Sequence, residues 1–232
     1  MRVLLQPAYI LHHRPYRETS LLIDLFTEKQ GRISVIARGI RTPQSKLRSI
    51  LQPFTPLIVS WQGKTELMTL ISAEADGLPM TLQGDCLLSA FYLNELLMRM
   101  LPKQDPYPVL FTMYQKTLID LQRDTLEQRV LRLFEKKLLT ELGYGIELQY
   151  DFNTGNALLA EQFYQYVPER GFTFVEDIND KSHYIFSGKH LLAFANEELD
   201  NEECLQEAKR LMRILLSFVL GTQTINSRKL FM

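Results

Sequence analysis

The hydrophobic period of this chain changes once, near Gly77 and Pro79, and this change constrains the fold more than any other feature. Before it, apolar residues alternate with polar ones, as they do in half-buried β-strands. After it, apolar residues recur at the spacing of amphipathic helices. A run of strands followed by a run of helices predicts an α+β protein with its β part first.

The β part is expected to contain five short strands. The second and third form a hairpin, because Leu21–Phe26 and Ile33–Arg38 both alternate and the turn between them contains Gly31. The other three strands are expected at Val3–Leu11, Leu57–Trp61 and Leu67–Ala73. Five short strands in about 75 residues suit a small closed barrel such as the OB fold. An SH3-like barrel or a small sandwich fits the periodicity almost as well.

After Gly77 and Pro79, helical spacing predicts three successive helices, each apolar on one face, that pack as a small bundle. Pro102 ends the first helix, because proline lacks an N–H and crowds the preceding turn. Asp105 and Pro106 start the second helix. The third helix begins at about Thr125 and stops at Gly143. Two later helices are expected at Lys189–Ala195 and Asn201–Gly221.

The stretch Glu147–Ser187 has weak periodicity and is interpreted as irregular, with possible short strands around Phe172 and Tyr184. The predicted architecture therefore has three parts. An N-terminal OB-fold β-barrel covers residues 1–79, an α-helical bundle covers 80–145, and a mixed, mainly helical C-terminal segment covers 146–232.

The charge distribution predicts an anion-binding surface on the barrel. The whole chain has a formal net charge of -1, yet Lys29–Thr65 contains seven basic residues and no acidic one. An ordinary solvated surface mixes both signs, so this stretch is expected to bind a polyanion such as nucleic acid. The candidate binding residues are Arg32, Arg38, Arg41, Lys46 and Arg48.

Four aromatic residues could complete such a surface. Barrels that hold single-stranded nucleic acid combine a cationic groove with aromatic side chains on which bases stack. Tyr9, Tyr16, Phe54 and Trp61 are the candidates here, and the alternative for each is a place in the core.

The third helix carries a second basic feature, since Arg129, Arg132 and Lys136 lie on one helix face beside apolar residues. Such a row could dock an acidic peptide with a hydrophobic end. The alternative, which spacing alone favours, is a solvated face balanced by acidic residues of the same helix. The candidate peptide-binding residues are Arg129, Leu131, Arg132, Phe134 and Lys136.

No signature of a catalytic or metal site is found. Cys86 and Cys204 are isolated, and the adjacent His12 and His13 should point to opposite faces of a strand. Phosphate-binding glycine loops are absent from the sequence. No enzymatic activity, metal or cofactor is therefore expected. No apolar run reaches the roughly 18 residues of a membrane span, and the start lacks a secretory pattern, which predicts a cytoplasmic location.

Six segments, taken in order, resemble the RecO family of recombination mediators. Three match its OB part, namely RPYRETSLLIDLFT (Arg14–Thr27), GRISVIARGIR (Gly31–Arg41) and LQPFTPLIVSW (Leu51–Trp61). Three match its later part, namely FYLNELLMRML (Phe91–Leu101), RVLRLFEKKLLTELGYG (Arg129–Gly145) and INSRKLF (Ile225–Phe231). The similarity spans nearly the whole chain, although no single segment is a catalytic signature.

The resemblance implies a mediator of the RecFOR pathway in DNA repair. Such a protein binds single- and double-stranded DNA, anneals complementary strands, and contacts the C-terminal tail of single-stranded DNA-binding protein. With RecR it helps load RecA, without chemical turnover and in association with the nucleoid. By position, DNA contact falls on Arg38, Arg41, Lys46 and Arg48, and tail binding falls on Arg132 and its apolar neighbours.

The sequence differs from some members of the RecO family in one respect. Some family members hold zinc with four cysteines after the Gly-Tyr-Gly segment, whereas Leu148–Phe152 contains none, so zinc is expected to be absent. Two rival interpretations remain at this point. One is an adaptor that binds only proteins, and the other is a metal-dependent nuclease that would use carboxylates such as Asp24 and Glu28.

Overall fold

A computed structural model describes residues 2–123, 127–176 and 184–227. Contacts divide the chain into two compact units. The first runs to Glu127 and includes the segment from Gln223, and the second is Gln128–Thr222. The division into residues 1–79, 80–145 and 146–232 remains a prediction, because contact grouping alone does not define independently folding domains.

Five strands form a closed barrel at the start of the first unit. They are β1 (Arg2–Tyr16), β2 (Ser20–Thr27), β3 (Gly31–Ala37), β4 (Leu57–Gln62) and β5 (Leu67–Ala75). Their order is β1-β2-β3-β5-β4, with β4 pairing back to β1. Neighbours are antiparallel except β3 and β5, which run parallel. The OB-type barrel is thus confirmed, and all five strands fall where alternation predicts them.

Buried apolar residues of the alternating strands form the core of the barrel. Ile23 and Leu25 of β2 and Ile33 and Val35 of β3 all lie in one buried cluster, which also contains Trp61 of β4. Full burial of an aliphatic side chain of this size contributes about 1.5–3 kcal/mol. The apolar residues of the alternating pattern therefore form the core of the closed barrel.

Two helices of the first unit, α1 (Gly84–Met100) and α2 (Pro108–Arg123), pack on the outer face of β1 and β2. The Asn94 side chain on α1 donates to the carbonyls of Ile10 and Leu11, at 3.3 and 3.0 Å, where β1 has a bulge. The Tyr114 hydroxyl on α2 donates to Asn94 Oδ1. One buried amide therefore joins a strand and two helices, with its polar atoms hydrogen-bonded as burial requires.

The turn between β2 and β3 requires glycine. Gly31 has a φ of +62°, and a Cβ atom there would lie 1.7 Å from the carbonyl oxygen of Asp105. Any side chain would collide with that backbone, so the turn packs directly on the segment that precedes α2.

The segment from Gln223 returns to the first unit and is held by α1. The Glu95 carboxylate accepts the backbone N–H groups of Asn226 and Ser227 at 2.9 and 2.8 Å. It also pairs with Arg99 at 3.3 Å. Charge-assisted bonds of this kind are stronger than neutral ones, so the carboxylate anchors the segment.

The second unit contains three helices and a small sheet among its described residues. The elements are α3 (Glu127–Glu141), β6 (Phe163–Val167), β7 (Gly171–Val175), β8 (Ile185–Ser187), α4 (Gly188–Ala195) and α5 (Glu202–Leu220). The sheet is antiparallel with order β7-β6-β8. The strands expected around Phe172 and Tyr184 correspond to β7 and β8, whereas β6 lies in a stretch interpreted as irregular. Within residues 2–123, 127–176 and 184–227, no helix is long and apolar enough to cross a membrane.

Candidate nucleic-acid interface

The segment between β3 and β4 carries four exposed cations, Arg38, Arg41, Lys46 and Arg48. We call residues 38–52 the basic loop. Among the described residues, no carboxylate forms an ion pair with any of these four side chains. Their charges are therefore available to an anionic ligand, and the binding of one at these residues stays a prediction.

Hydrogen bonds within and beside the basic loop give it a defined shape. The N–H of Arg41 donates to the carbonyl of Thr19 at 2.9 Å, which ties the loop to the turn between β1 and β2. The Thr42 hydroxyl donates to the Gly39 carbonyl at 2.7 Å, and Lys46–Arg48 forms a single 3-10 turn. A loop ordered before binding loses less conformational entropy when a ligand arrives.

Arg32, the fifth predicted cation, lies at the other end of β3 and is engaged with α1. Its Nη1 donates to the carbonyl of Met98 at 2.8 Å. Burial lowers the pKa of Arg32, and the charge of Asp24 counteracts part of that shift. The structure therefore uses Arg32 to join β3 to α1 and does not bring it to the basic loop.

Three of the four aromatic candidates belong to the core. Trp61 lies inside the barrel, Tyr9 packs edge-on against Tyr114 at 5.3 Å, and Phe54 packs edge-on against Phe91 at 5.0 Å. These three are not available for base stacking. Tyr16 is half-buried, and the guanidinium of Arg17 lies 5.3 Å from its ring centroid.

The basic row on α3 differs from the basic loop because its charges have partners. Arg132 is buried and donates to Glu135 Oε1 at 2.8 Å. Leu131 and Phe134, the expected apolar contacts for a peptide, are buried in the second unit. These three side chains are therefore internal, and tail binding by them stays a prediction.

The outer members of the row, Arg129 and Lys136, hold the end of α4. Lys136 Nζ donates to the carbonyls of Phe194 and Ala195 at 3.0 and 2.9 Å. Arg129 donates to the carbonyl of Glu197 at 3.2 Å. Burial lowers the pKa of Lys136, and the charge of Glu197 partly reverses this. Cations near a helix C-terminus stabilise its unsatisfied carbonyls, so this arrangement has a structural role.

A cavity of about 370 Å³ opens beside the basic loop at one end of the barrel. Arg41 and Arg48 contribute to it, together with residues that the sequence analysis did not select, among them His13, Leu21 and Gln52. His13 and Leu21 belong to β1 and β2, so no motif within the basic loop could have identified them.

The described side chains offer no metal centre. In residues 2–123, 127–176 and 184–227, no group of three or more His, Cys, Asp or Glu side chains could hold an ion. Neither cysteine forms a disulfide, and Cys204 is buried whereas Cys86 is half-buried. In the segment after Gly145, Asp151 accepts the N–H groups of Asn153, Thr154 and Phe174 at 2.8, 3.0 and 2.7 Å.

Two family models match the chain in succession. The model of the Recombination protein O N terminal domain matches residues 1–77, and that of the C-terminal domain matches residues 82–229. The chain belongs to the RecO family. The barrel and the basic loop fall in the N-terminal RecO domain, and the row on α3 falls in the C-terminal one.

Relatives named DNA repair protein RecO agree over nearly the full length. The protein of Coxiella burnetii is 45% identical over 229 residues, which cover 99% of this chain and 98% of the relative. That of Nitrosococcus oceani is 45% identical over 232 residues, covering 99% and 93%. That of Haemophilus influenzae is 43% identical over 229 residues, covering 98% and 95%. Membership in the RecO family supports a role in DNA repair and recombination.

Proposed function

We propose that this chain is a recombination mediator that binds single-stranded DNA through the basic loop. The observation that carries the proposal is the contrast between two sets of cations. Arg38, Arg41, Lys46 and Arg48 are exposed without ion-pair partners among the described residues, whereas the cations of α3 are held internally. Phosphate contacts supply most of the affinity of sequence-independent DNA binding, and they need accessible cations.

The same chemistry extends to annealing. Contacts to phosphates position a strand but leave the edges of its bases unoccupied. A strand held mainly through Arg38, Arg41, Lys46 and Arg48 therefore keeps its bases available for a complementary strand. Double-stranded DNA offers the same phosphates, so we expect it to bind to the same loop.

The protein partners follow from family membership. We propose that the chain works with RecR to load RecA onto DNA coated with single-stranded DNA-binding protein, and that it contacts the C-terminal tail of that coating protein. Action on DNA in this role implies a cytoplasmic, nucleoid-associated site. Of the predicted tail contacts, Arg129 is the most exposed cation, and a tail would have to compete with its internal partners.

We further propose that the chain performs no chemistry on DNA, which separates it from the nuclease interpretation. Labelled single-stranded DNA incubated with the protein and Mg²⁺ should stay intact while the protein remains bound. Cleavage that depends on the protein and on the metal would contradict this part of the proposal.

The central test is the triple variant Arg41→Ala, Lys46→Ala, Arg48→Ala, titrated with a labelled oligonucleotide at several salt concentrations. Each lost phosphate contact should flatten the dependence of log affinity on log salt by roughly 0.7 for a single strand. The fold should persist, because these side chains are exposed. A folded triple variant with unchanged affinity and slope would show that the DNA path lies elsewhere.

A matched control removes the same net charge from other surfaces. Lys116, Arg123 and Lys189 are exposed cations outside the basic loop, and each can be replaced by alanine in one triple variant. This control should keep most of its affinity. Equal losses in both triple variants would mean that net charge, rather than the basic loop, determines binding. A binding profile with no salt dependence would favour the protein-only adaptor.

A further inference from the structure

The cavity beside the basic loop has an apolar floor. Leu21, Ile40 and Leu51 line it, and the last two belong to the buried cluster of the barrel. Its floor is therefore fixed by the core rather than by mobile surface side chains. The volume of about 370 Å³ lies within the roughly 300–1,000 Å³ that small-molecule pockets occupy.

The rim of the cavity is polar and cationic. His13, Arg41, Arg48 and Gln52 complete the lining, and none of the lining residues is acidic. Arg41 Nη1 donates to the carbonyl of Arg17 at 3.2 Å, and Gln52 Nε2 donates to the carbonyl of Arg48 at 2.9 Å. These bonds brace the rim around the opening.

An apolar floor beneath a cationic rim matches one chemical unit of DNA. A phosphate alone gains nothing from aliphatic walls, and a base within a duplex is already stacked and paired. An unstacked nucleotide presents both a flat apolar ring and negative charge. Binding sites for single strands usually offer aromatic platforms for such rings. Here Tyr9, Phe54 and Trp61 are buried, and the half-buried Tyr16 does not line the cavity, so a base in the cavity would contact aliphatic side chains instead.

We propose that this cavity binds one unstacked base of single-stranded DNA, while Arg41 and Arg48 contact the adjoining phosphates. The inference rests on the proposed function, because the strand must first reach the basic loop. It adds a base subsite to the phosphate contacts. Occupation of the cavity favours a single strand over a duplex, and one captured base still leaves its neighbours free to pair.

The test compares two labelled oligomers of equal length, oligo-dT and a chain of abasic residues. Both carry the same phosphates, and only the first carries bases. The wild-type protein should bind oligo-dT about five- to tenfold more tightly, near the lower end of the gain from one stacked base. Leu21→Ala removes part of the floor, so it should bring oligo-dT close to the abasic level. It should leave abasic affinity, the salt slope and duplex binding unchanged.

Two further variants protect this test. His13→Ala changes the rim from a half-buried position and should reduce the same preference if Leu21→Ala proves unstable. Leu67→Ala removes an exposed leucine on β5 that does not line the cavity, and it should preserve the preference for oligo-dT. Thermal melting of each variant verifies that it is folded.

The outcomes separate the two proposals. Equal affinity of the wild-type protein for oligo-dT and abasic chains would overturn the base subsite and leave phosphate binding by the basic loop intact. Equal loss for both oligomers in folded Leu21→Ala would also overturn it. Failure of the wild-type protein to bind the abasic chain in a salt-dependent way would instead contradict the proposed function, and the base subsite with it.

Discussion

Arg132 and Glu135 lie one turn apart on α3 and form an ion pair whose side chains are only 6% and 1% exposed. The pair joins two charges of the same helix, and its distance is 2.8 Å. An arginine in this position stabilises a buried carboxylate before it can serve any ligand. The arginines of the basic loop have no such partner among the described residues, so the two basic features differ in how available their charges are.

Replacing Arg132 by alanine is expected to lower the free energy of unfolding by about 3–5 kcal/mol, because a buried carboxylate loses its cation. Thermal melting followed by circular dichroism measures this. Arg129→Ala serves as the control, since Arg129 is 33% exposed and its loss should cost much less. If Arg132→Ala keeps the melting temperature but loses an acidic tail peptide, the docking prediction for this residue holds instead.

Asn94→Ala should destabilise the first unit, because the carbonyls of Ile10 and Leu11 lose their donor at the bulge of β1. Loss of a buried hydrogen-bond partner costs about 1–3 kcal/mol. Trp61, the single tryptophan, is 1% exposed in the barrel, so its fluorescence during denaturation reports this unit directly.

Tyr114→Phe provides a milder variant for comparison, because it removes only the hydroxyl that donates to Asn94. Its effect should be smaller than that of Asn94→Ala. Equal stability of the wild-type protein and Asn94→Ala would show that this amide does not join β1 to the helices as described.

The Asp151 carboxylate should make stability depend on acid. Burial alone would raise its pKa, but the N–H donors of Phe174, Thr154 and Asn153 outweigh burial and hold the pKa below its ordinary value. The stabilisation is therefore complete above the unfolded pKa of about 3.9 and is lost as the pH falls through the lower pKa of the folded state.

Asp151→Asn should accordingly lower the melting temperature near neutral pH, and the difference from wild type should shrink in acid below pH about 4. Melting curves across that range provide the measurement. A difference that stays constant down to acid would mean that the charge of Asp151 contributes nothing.

The purified chain is expected to contain no stoichiometric zinc. Two separated cysteines do not supply the four-ligand shell of a structural zinc site, and Asp151 is already bonded to three N–H groups. Elemental analysis measures this directly. About one zinc per chain would contradict the expectation.

Periodicity alone predicts where the strands and helices lie, because alternation and helical spacing are local properties. It cannot predict that β3 pairs in parallel with β5, which depends on contacts across a long loop. It also misses β6 (Phe163–Val167), where burial alternates but the exposed positions include apolar residues such as Phe163, so the sequence shows little alternation. Part of that uncertain stretch, residues 177–183, lies outside the described residues.

The candidate site, like the fold, could be predicted from the sequence only in its local features. The absence of acids around Arg41 and Arg48 is visible in the sequence and predicts exposed, uncompensated charge. The partners of Arg129 and Lys136 cannot be recognised in the local sequence. Glu197 follows Arg129 by 68 positions, and Phe194 follows Lys136 by 58. Whether a cation has a partner within the protein depends on residues distant in sequence. The spacing of residues along α3 therefore could not distinguish a docking surface from contacts with the end of α4.

Glu95 also imposes an order of events on synthesis. Its N–H partners, Asn226 and Ser227, follow it by 131 and 132 positions. At about 5–20 residues per second, a ribosome adds them roughly 7–26 seconds after Glu95. The barrel and its two helices can assemble during that interval, while this carboxylate remains hydrated. The first unit is therefore completed only by residues that are translated more than 130 positions after Glu95.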